Sequence, residues 1–472
     1  MKFPEIEIGL AGLGVMGRNL ALNIADRGAA VAVYNRTAGV TRNFIEHEVG
    51  NRAIYPAYSI AEFIDLQPKP RAIIILVQSG PPVDMVLKEL LLFLDPGDTV
   101  IDAGNSHFID TNRRAKVLAN RNLFFVGMGI SGGEAGARHG PSLMPGGSRK
   151  GYDRVQAIFN AIAAKANSEP CVAYIGAGSA GHYTKMVHNG VEYGLMQLIA
   201  ESYDLLKRGA GLSVDELAEI YSRWNQEELN SYLIEITAKI FKYRDTATDR
   251  PLVDLILDAA KQKGTGKWTS WDAMDLMVPT PSIDIAVAMR GLSSHKAERR
   301  EASQVLHGPE IKFVGDRDRF ITQMKNALFA SMLVTFAQGL AQLREASLVY
   351  NYGINLESVA KVWRGGCIIR AGLLEGIRAA YRAKPDLPNL LLDPQFAKKL
   401  MERQADWREV VKTAVGWGIP VPGLAVSLAY FDGYRSEWLP ANLIQAQRDY
   451  FGAHTYERLD KEGQFHTDWE KI

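Results

Sequence analysis

Four polar side chains recur at helical spacing in the segment GHYTKMVHNGVEYG, residues 181–194. Counted from Lys185, His188 lies three residues further on, Asn189 four and Glu192 seven. At about 3.6 residues per turn, these offsets return to one face of a helix. That face would combine a candidate base, a candidate acid and two hydrogen-bonding groups. Such a set could move protons to and from a small substrate.

The remainder of this segment is apolar, which favours a helix that is buried on most sides. Apolar and aromatic residues surround the polar ones: Tyr183, Met186, Val187, Val191, Tyr193 and Leu195. Buried polar groups need partners, because an unpaired charged cluster is strongly destabilising. The alternative to a reactive site is a structural network in which these groups only satisfy one another.

The elements that would position this helix begin with a nucleotide-binding pattern. Residues 7–11 (EIGLA) read as a short buried strand, residues 18–28 as a helix and residues 29–34 (AAVAVY) as a second strand. Between the first strand and the helix stands a GxGxxG fingerprint, which we expect to contact a cofactor: Gly12, Leu13, Gly14, Val15, Met16 and Gly17.

Each glycine of the fingerprint has a physical purpose. Gly12 permits a tight turn, Gly14 lets the backbone approach a pyrophosphate, and Gly17 lets helix and strand pack closely. The helix N-terminus adds unpaired N–H groups and the positive end of the helix dipole. Because strands flank the unit on both sides, dinucleotide binding is favoured over a glycine-rich turn of a flavodoxin-like fold.

The end of the second strand indicates which dinucleotide binds. NAD-specific sites usually carry Asp or Glu there, whereas this chain has Asn35, Arg36 and Thr37. A guanidinium and a hydroxyl can receive a phosphate, and no carboxylate stands at these three positions to repel one. We therefore expect NADP. In the alternative, Arg36 lies on the adenine ring, which would also be a cofactor contact.

Three further apolar runs predict buried parallel strands: 71–77, 99–103 and 122–126. The carboxyl ends of such strands meet at one edge of a sheet, where ligands bind. Residues expected at this edge are Val77, Gln78, Ser79, Gly104, Asn105, Ser106 and the loop 127–134. Within that loop, Ser131, Gly132 and Gly133 suit an anionic oxygen such as a carboxylate, and a flexible loop is the alternative.

Beyond residue 178 the β pattern stops, and almost every segment reads as helix. A faint repeat runs through this part, since GLSVDELA from Gly211 is echoed by GINLESVA from Gly353 at an offset of 142. The sequence therefore predicts an α/β Rossmann-like domain, a large all-α and internally duplicated domain, and an extended tail. Their expected bounds are 1–180, 181–438 and 439–472.

The second copy of the repeat serves as an internal control for the polar helix face. It keeps the apolar pattern but has Gln323, Asn326 and Ala330 at the positions of the lysine, histidine and glutamate. Side chains that only supported packing could stand in both copies. Their presence in one copy alone favours a site.

Two cationic clusters and the tail complete the candidates. The segment QKGTGKW, which contains Lys263 and Thr265, is a glycine-punctuated phosphate-loop candidate without the Walker spacing. Arg290 follows the apolar stretch DIAVAM, and for both clusters a solvated surface loop is the alternative. The tail is rich in aromatic, Arg and His residues, among them Arg448 and His454, and we expect it to dock on another subunit.

Composition limits the class of protein. The 472 residues are 47% hydrophobic with a formal net charge of +1, so a large core is possible and nothing indicates a nucleic-acid partner. Cys171 and Cys367 cannot form a disulfide framework and fit a reducing compartment. We find no signal-peptide pattern, no apolar run long enough to cross a membrane and no metal-ligand spacing. We expect a soluble cytoplasmic protein without a metal or a membrane partner.

Together these segments resemble the 6-phosphogluconate dehydrogenase (decarboxylating) family of the β-hydroxyacid dehydrogenase superfamily. The resemblance covers essentially the whole chain and rests most specifically on KMVHNGVEYG and GTGKW, with GISGGEAGARHGPSLMPGG and RDYFGAHTYER beside them. It implies a homodimer of the pentose phosphate pathway that oxidises 6-phosphogluconate with NADP and releases ribulose 5-phosphate and carbon dioxide. It also implies a tail that completes the neighbour's active site.

The resemblance implies individual roles as well. Lys185 is similar to the general base, and Glu192 to the acid that later protonates an enediol. Substrate contacts are implied for Asn105, Ser131, Gly132, Gly133, His188, Asn189, Tyr193, Lys263, Thr265 and Arg290, with Arg448 and His454 from the other subunit. Gln78 and Ser79 stand where many members have Lys-Ala, which leaves the strength of the NADP preference open, and Gly14 is often alanine.

The implied mechanism sets requirements on two pKa values. A lysine base needs a pKa near about 7–8 rather than about 10.4, and burial or neighbouring positive charge can lower it. Burial that raises the pKa of Glu192 would help it to hold a proton. Two rivals are another β-hydroxyacid dehydrogenase, such as one acting on 3-hydroxyisobutyrate, and a non-catalytic NADP-binding protein.

Overall fold

The structure, a computed structural model, describes residues 5–471 and begins with a seven-stranded sheet. Its strands are β1 (Ile8–Ala11), β2 (Val31–Tyr34), β3 (Ile54–Ala57), β4 (Ala72–Ile75), β5 (Thr99–Asp102), β6 (Phe124–Ser131) and β7 (Ser142–Gly147). Their spatial order is 3-2-1-4-5-6-7, and all run parallel except β7, which is antiparallel to β6. This is the doubly wound order of dinucleotide-binding domains, so the predicted Rossmann-like fold is confirmed.

Helices cover both faces of the sheet. They are α1 (Val15–Asp26), α2 (Ala38–Phe44), α3 (Ile60–Asp65), α4 (Pro81–Leu90), α5 (Phe108–Ala119), α6 (Gly133–His139) and α7 (Arg149–Ile162). One apolar cluster joins the sheet to α1 and α7, and another joins it to α3, α4 and α5. The central strands are therefore buried on both sides, which explains why they read as continuous apolar runs.

The carboxyl ends of the central strands are level with one another. Ala11 pairs with both Tyr34 and Ile75, and Ile75 pairs with Asp102. The chain then leaves β1 toward one face through α1, and leaves β4 toward the other face through α4. Because the connections after β1 and β4 leave toward opposite faces of the sheet, a crevice opens between them at the edge where the fingerprint lies.

Strand β6 is longer than the sequence pattern indicated. We expected a strand over 122–126 and a loop over 127–134, but β7 pairs with β6 as far as Ser131 and extends the ladder. The glycines of this segment made it resemble a loop, although they are required for close packing rather than for a turn. A Cβ on Gly129 would lie 2.4 Å from the Cβ of Lys185.

A short hairpin, β8 (Lys165–Ala166) and β9 (Glu169–Pro170), precedes a large helical part. Its helices are α8 (Ala180–Asp204), α9 (Val214–Trp224), α10 (Tyr232–Lys242), α11 (Thr265–Asp275), α12 (Pro281–Ser294), α13 (Lys296–Val305), α14 (Arg317–Val349), α15 (Leu356–Trp363), α16 (Leu373–Ala383), α17 (Pro394–Trp417), α18 (Pro422–Tyr434) and α19 (Ala441–Gly452). The chain ends with the hairpin β10 (Tyr456–Glu457) and β11 (Gln464–Phe465).

The predicted repeat has a structural counterpart. Helix α8 leads through the π-helical turn Leu205–Gly209 to α9, as α14 leads to α15. Gly211 and Gly353 both have positive φ, of 71° and 67°. Two residues later, Ser213 and Asn355 each cap the following helix with a side-chain oxygen. The two halves therefore share a long helix, a glycine turn and a capped second helix.

Helix α14 qualifies our expectation about membrane spans. Over the described residues, it is the one helix long and apolar enough to cross a membrane by length and composition. Of its most apolar window, 89% is buried inside the protein, where α14 packs along α8 and α17. A core helix passes the same test, so this is weak evidence for a membrane span.

Candidate functional site

The glycine fingerprint adopts the turn that its spacing predicts. Gly12 has a φ of 113°, which favours glycine, and a Cβ on Gly17 would lie 1.9 Å from the carbonyl oxygen of Gly12. A Cβ on Gly14 would meet no atom within 4 Å, so this position faces open space at the N-terminus of α1. Asn35 braces the turn, since its Oδ1 accepts from the N–H of Leu13 at 3.1 Å.

A cleft of about 570 Å³ joins the sheet edge to the helical part. Most predicted cofactor residues line it, namely Gly12, Gly14, Val15, Met16, Gly17, Asn35, Val77, Gln78, Ser79 and Asn105. Lys263, Thr265 and Trp268 face them from the opposite wall. The cleft therefore brings the fingerprint and the QKGTGKW segment together, although about 250 residues separate them in the chain.

A smaller cleft of about 270 Å³ continues past the end of β2. Asn35, Arg36 and Thr37 line it together with four residues spread along α4: Pro82, Met85, Val86 and Glu89. Arg36 is exposed. Glu89, which the sequence did not predict as part of the site, places a carboxylate in this smaller cleft. The residues at the end of β2 therefore do not alone determine the charge that a phosphate would meet here.

Lys185 lies buried in α8, with 7% of the residue exposed. Its Nζ donates to Oδ1 of Asn189 one turn along and lies 3.4 Å from Nδ1 of His188. The amine therefore sits within its own helix face, as the spacing predicted. Its stem packs against Gly129 of β6, so the missing side chain of that glycine sets how closely strand and helix approach.

His188 links this face to the neighbouring strand. Its Nδ1 lies 3.1 Å from Oδ1 of Asn189, and its Nε2 lies 3.3 Å from Oγ of Ser131 at the end of β6. The network assigns the proton to Nδ1, so that Nε2 accepts from the serine hydroxyl. Glu192 Oε2 is 3.8 Å from Nδ1, and Trp363 packs edge-on against the imidazole.

Burial shifts the charged groups of this face toward their neutral forms. It lowers the pKa of Lys185, even though Glu192 and Cys367 act to raise it. It raises the pKa of Glu192 against the effect of Lys185 and Arg290. Burial, with the nearby Lys185, also holds the pKa of His188 well below its usual value. The face thus pairs an amine that can accept a proton with a carboxyl group that can hold one.

Helix α11 supplies part of the other wall of the cleft, and α12 carries Arg290. We expected a loop over QKGTGKW, but α11 begins at Thr265, after Gly264 with a φ of 95°. Thr265 therefore lies at a helix N-terminus, where N–H groups and the dipole favour a phosphate. The Arg290 guanidinium lies 3.5 Å from the centroid of the Tyr193 ring, and a Cβ on Gly266 would meet that ring at 2.5 Å.

The segment 131–133 is more constrained than a flexible loop. Gly132 has a φ of 117°, and a Cβ there would lie 2.5 Å from the carbonyl oxygen of Gly366. A Cβ on Gly133 would meet no atom within 4 Å. Sequence reasoning missed the supporting segment 363–367, which belongs to the second half of the repeat. Nothing in its sequence indicates that it packs against the junction of β6 and α6, more than 200 residues away in the chain.

Arg448 and His454 are not brought to these walls within the described part of the chain. Both are exposed in the tail, where Nη1 of Arg448 donates to Gln445 in the same helix. The tail is organised around the buried Asp449, whose carboxylate accepts from four donors: the N–H groups of Thr455 and Thr467, the His466 ring and the Trp469 indole. Its helix leaves Leu443, Ile444, Tyr450 and Phe451 exposed.

Metal ligands were not expected from the sequence. Within residues 5–471, no group of three or more His, Cys, Asp or Glu side chains is placed to hold a metal ion. Both cysteines are free and buried.

Known proteins resemble the chain along its full length. The family model described as the NAD binding domain of 6-phosphogluconate dehydrogenase matches residues 7–176, and that described as 6-phosphogluconate dehydrogenase, C-terminal domain, matches residues 181–469. A decarboxylating 6-phosphogluconate dehydrogenase of Synechococcus elongatus is 54% identical, covering 98% of this chain and 99% of the relative. An NADP(+)-dependent one of Bacillus subtilis is 51% identical with the same coverage.

A solved structure gives the same result for the fold. The 6-phosphogluconate dehydrogenase of Plasmodium falciparum, studied as apoprotein and with NADP+ or 6-phosphogluconate, superposes with a TM-score of 0.96. It is 43% identical and covers 98% of this chain and 100% of its own. Because the likeness includes both the sheet and the duplicated helices, the chain belongs to the 6-phosphogluconate dehydrogenase family.

Proposed function

We propose that the chain oxidises and decarboxylates 6-phosphogluconate to ribulose 5-phosphate and carbon dioxide, with NADP as the hydride acceptor. The observation that carries this proposal is that the buried Lys185 and the half-buried Glu192 lie on one face of α8, where burial shifts the pKa of each group in the direction that favours its neutral form. Family membership supplies the reaction, and the pair supplies the base and the acid that the reaction needs.

The residues at the sheet edge fit a dinucleotide. The open position at Gly14 exposes the N-terminus of α1, where a pyrophosphate can reach backbone N–H groups. Arg36 and Thr37 in the smaller cleft would hold the 2′-phosphate. When bound, the nicotinamide supplies the hydride-accepting ring.

Lys185 and Glu192 divide the proton transfers. Neutral Lys185 takes the proton from the substrate hydroxyl on the carbon that is oxidised. The resulting β-keto acid can lose its carboxylate as carbon dioxide, and the protonated lysine assists by donating to the carbonyl oxygen as the enediol forms. Glu192 then delivers a proton to carbon, and Lys185 takes back the enol O–H proton, as the enediol becomes a ketone.

The remaining polar residues would bind and orient the substrate. Asn105, Ser131, Gly132, Gly133, His188 and Asn189 would hold its carboxylate and hydroxyl groups. Tyr193, Lys263, Thr265 and Arg290 would hold the phosphate, which is supported by the helix N-terminus at Thr265 and by two cationic side chains.

A direct assay tests the proposed reaction. Purified protein is mixed with 6-phosphogluconate and NADP, and nicotinamide absorbance and carbon dioxide release are followed together. We expect equimolar formation of both products, and little turnover of unphosphorylated 3-hydroxyisobutyrate. Reduction of NADP by the unphosphorylated acid alone would instead favour another β-hydroxyacid dehydrogenase. Binding of NADP without turnover of either acid would favour a non-catalytic protein.

The NADP preference has its own test. Arg36→Glu should weaken NADP far more than NAD, because the carboxylate repels the 2′-phosphate that only NADP carries. Dissociation constants for NADPH and NADH, measured by fluorescence, would report this. Equal losses for the two nucleotides would remove Arg36 from the phosphate site.

The chain is also proposed to form a homodimer that exchanges tails, with Arg448 and His454 completing the partner's site. The proposal is supported by the exposed apolar side chains of α19 and by the exposure of both residues. The start of α8 at Ala180 and the separate organisation around Asp449 support the proposed division at residues 180 and 438.

Hybrid complementation tests the exchange. A Lys185→Met chain and a His454→Ala chain should each have low activity. In a mixed dimer, one site would combine an intact lysine with an intact partner tail, so refolding the two together should restore activity. If each site were built from a single chain, mixing would restore none.

A further inference from the structure

A buried arginine lies beneath the cofactor cleft without lining it. Arg114, on α5, has 0% of its surface exposed, and all five of its N–H donors have partners. Nε and Nη2 donate to the two carboxylate oxygens of Asp84 at 2.8 and 3.1 Å. Nη2 also donates to the Gly80 carbonyl at 3.0 Å, and Nη1 donates to Asp102 at 3.1 Å and to the Ser106 hydroxyl at 3.0 Å.

These partners belong to two loops that follow neighbouring strands. Gly80 and Asp84 lie after β4, at the start of α4, whereas Asp102 ends β5 and Ser106 closes the next loop. Asp102 also accepts from the Gly104 N–H at 3.1 Å and from the Ser106 hydroxyl at 2.7 Å. One guanidinium therefore fixes both loops in a single fully satisfied network, which is rigid because every donor is used.

The same two loops form much of the cleft wall. Val77, Gln78 and Ser79 line the cleft from the first loop, and Gly104 and Asn105 line it from the second. The loops also touch, since a Cβ on Gly104 would lie 3.3 Å from the carbonyl oxygen of Val77. Arg114 and Asp84 lie outside this lining and can act on a ligand only through the loops.

We propose that Arg114 is a positioning residue that sets the affinity for the dinucleotide by holding both cofactor loops in register. This rests on the proposed use of NADP. A lysine in its place would keep one positive charge for the two aspartates but could not span both loops, because an ammonium lacks the planar fork of five donors.

The test compares dinucleotide binding with substrate affinity in the Arg114→Lys variant. NADPH is titrated by fluorescence without substrate, and separate KM values are measured for NADP and for the sugar acid, 6-phosphogluconate. We expect the Kd of NADPH and the KM of NADP to rise about tenfold, and the KM of the sugar acid to rise less, by up to about threefold, because only Asn105 of the two loops is proposed to contact the sugar acid. Circular dichroism and thermal unfolding monitor the fold.

Arg113 offers a matched control, because it neighbours Arg114 and also donates to Asp84. Its side chain is 53% exposed and its other partner is Asp110, on the surface of α5. Exposed ion pairs contribute little, so Arg113→Lys should change the Kd of NADPH less than about twofold. Ser106→Ala serves if Arg114→Lys does not fold: it removes one anchor of the second loop and should raise the Kd about two- to threefold.

A lower melting temperature with an unchanged Kd in Arg114→Lys would show a merely structural role and overturn the proposal. An equal rise in both KM values would overturn it as well. In the Ser106→Ala variant, an unchanged Kd would do the same. The NADPH titration requires no turnover, so a chain that binds NADPH but fails to oxidise 6-phosphogluconate would refute the proposed reaction while leaving the role of Arg114 measurable.

Discussion

Helices α8 and α14 are the corresponding long helices of the two halves, and they differ in what packs against them. Both are buried along most of their length and lead through a positive-φ glycine to a capped second helix. Helix α8 faces strands β6 and β7 and helix α11, beside the cleft, whereas α14 packs against α17. We therefore propose that the shared scaffold forms a reactive face only in α8, which packs against β6 and β7.

The residues of α14 that correspond to the polar face of α8 have structural rather than chemical surroundings. Asn326, which stands at the position of His188, donates its Nδ2 to Asp406 of α17 at 2.6 Å. Ala330, at the position of Glu192, is fully buried. Asn326 therefore serves helix packing, so a polar side chain at this position of the repeat does not by itself indicate chemistry.

Replacement of Lys185 should have the largest effect on kcat. Lys185→Met removes the base, so kcat should fall by about 10³-fold while NADPH still binds. Gln323→Met, at the corresponding position of α14, is the matched control and should leave kcat within about twofold. Absorbance assays and NADPH fluorescence measure the two quantities. A Lys185→Met enzyme with near-normal kcat would make the base assignment wrong.

Replacement of the proposed acid, Glu192, should have the second-largest effect on kcat. Glu192→Gln cannot deliver a proton, so we expect kcat to fall by about 10²-fold with the KM of NADP unchanged. Glu201, which is buried in α8, accepts from the N–H groups of Gly423 and Leu424 at the start of α18, and its burial raises its pKa to about 7. Glu201→Gln is thus a control that should lower stability but not kcat. Equal losses of kcat in both variants would contradict the assignment of Glu192.

A third difference should appear in the pH dependence of stability. Burial lowers the pKa of Lys185 in the folded protein below the usual value of 10.5, so the unfolded chain binds a proton that the folded chain lacks. The free energy of unfolding therefore gains an increasing contribution between that lowered pKa and pH 10.5.

Lys185→Met lacks this contribution, so its stability relative to the parent should be greatest at low pH and should decline as pH rises. Urea unfolding between pH 6 and 9 (roughly the accessible range) would measure it. A difference independent of pH would mean that the lysine is not shifted. Gln323→Met, which replaces a group that does not titrate, should give a flat difference.

The smallest effect should come from the structural hydrogen bond of α14. Asn326→Ala should lower the free energy of unfolding by about 1–2 kcal/mol, because Asp406 loses its donor, and should leave kcat unchanged. Thermal or urea unfolding checks the first part and the absorbance assay the second. A loss of turnover greater than the loss of folded protein would mean that the second copy contributes to the chemistry.

Much of the fold followed from local pattern. The fingerprint, the apolar strands and the face of α8 all depend on residues within one or two turns or strands, so their spacing determines their geometry. Strand β7 escaped detection because its glycines and proline resemble a loop, and the start of α11 escaped because Gly264 and Gly266 flank its first residue. In both places glycine permits close packing or a cap rather than marking a flexible segment.

The parts of the site that could not be predicted are those assembled from distant segments. Trp363 meets the His188 ring from the second half of the repeat, and Arg114 meets Asp84 across two strands. No spacing rule links such residues, because their proximity depends on how helices and loops pack in three dimensions. The contacts of Arg448 and His454 are still harder to predict from sequence, since their proposed partners belong to another copy of the chain.

The tail holds its shape through bonds made inside itself. With the Asp449 carboxylate gathering four donors from the residues that follow it, the segment has lost most of its conformational freedom before anything docks on it. Association with a second copy would then resemble the fitting of two rigid bodies rather than coupled folding, and its heat capacity change should reflect only the apolar surface of α19 that becomes covered.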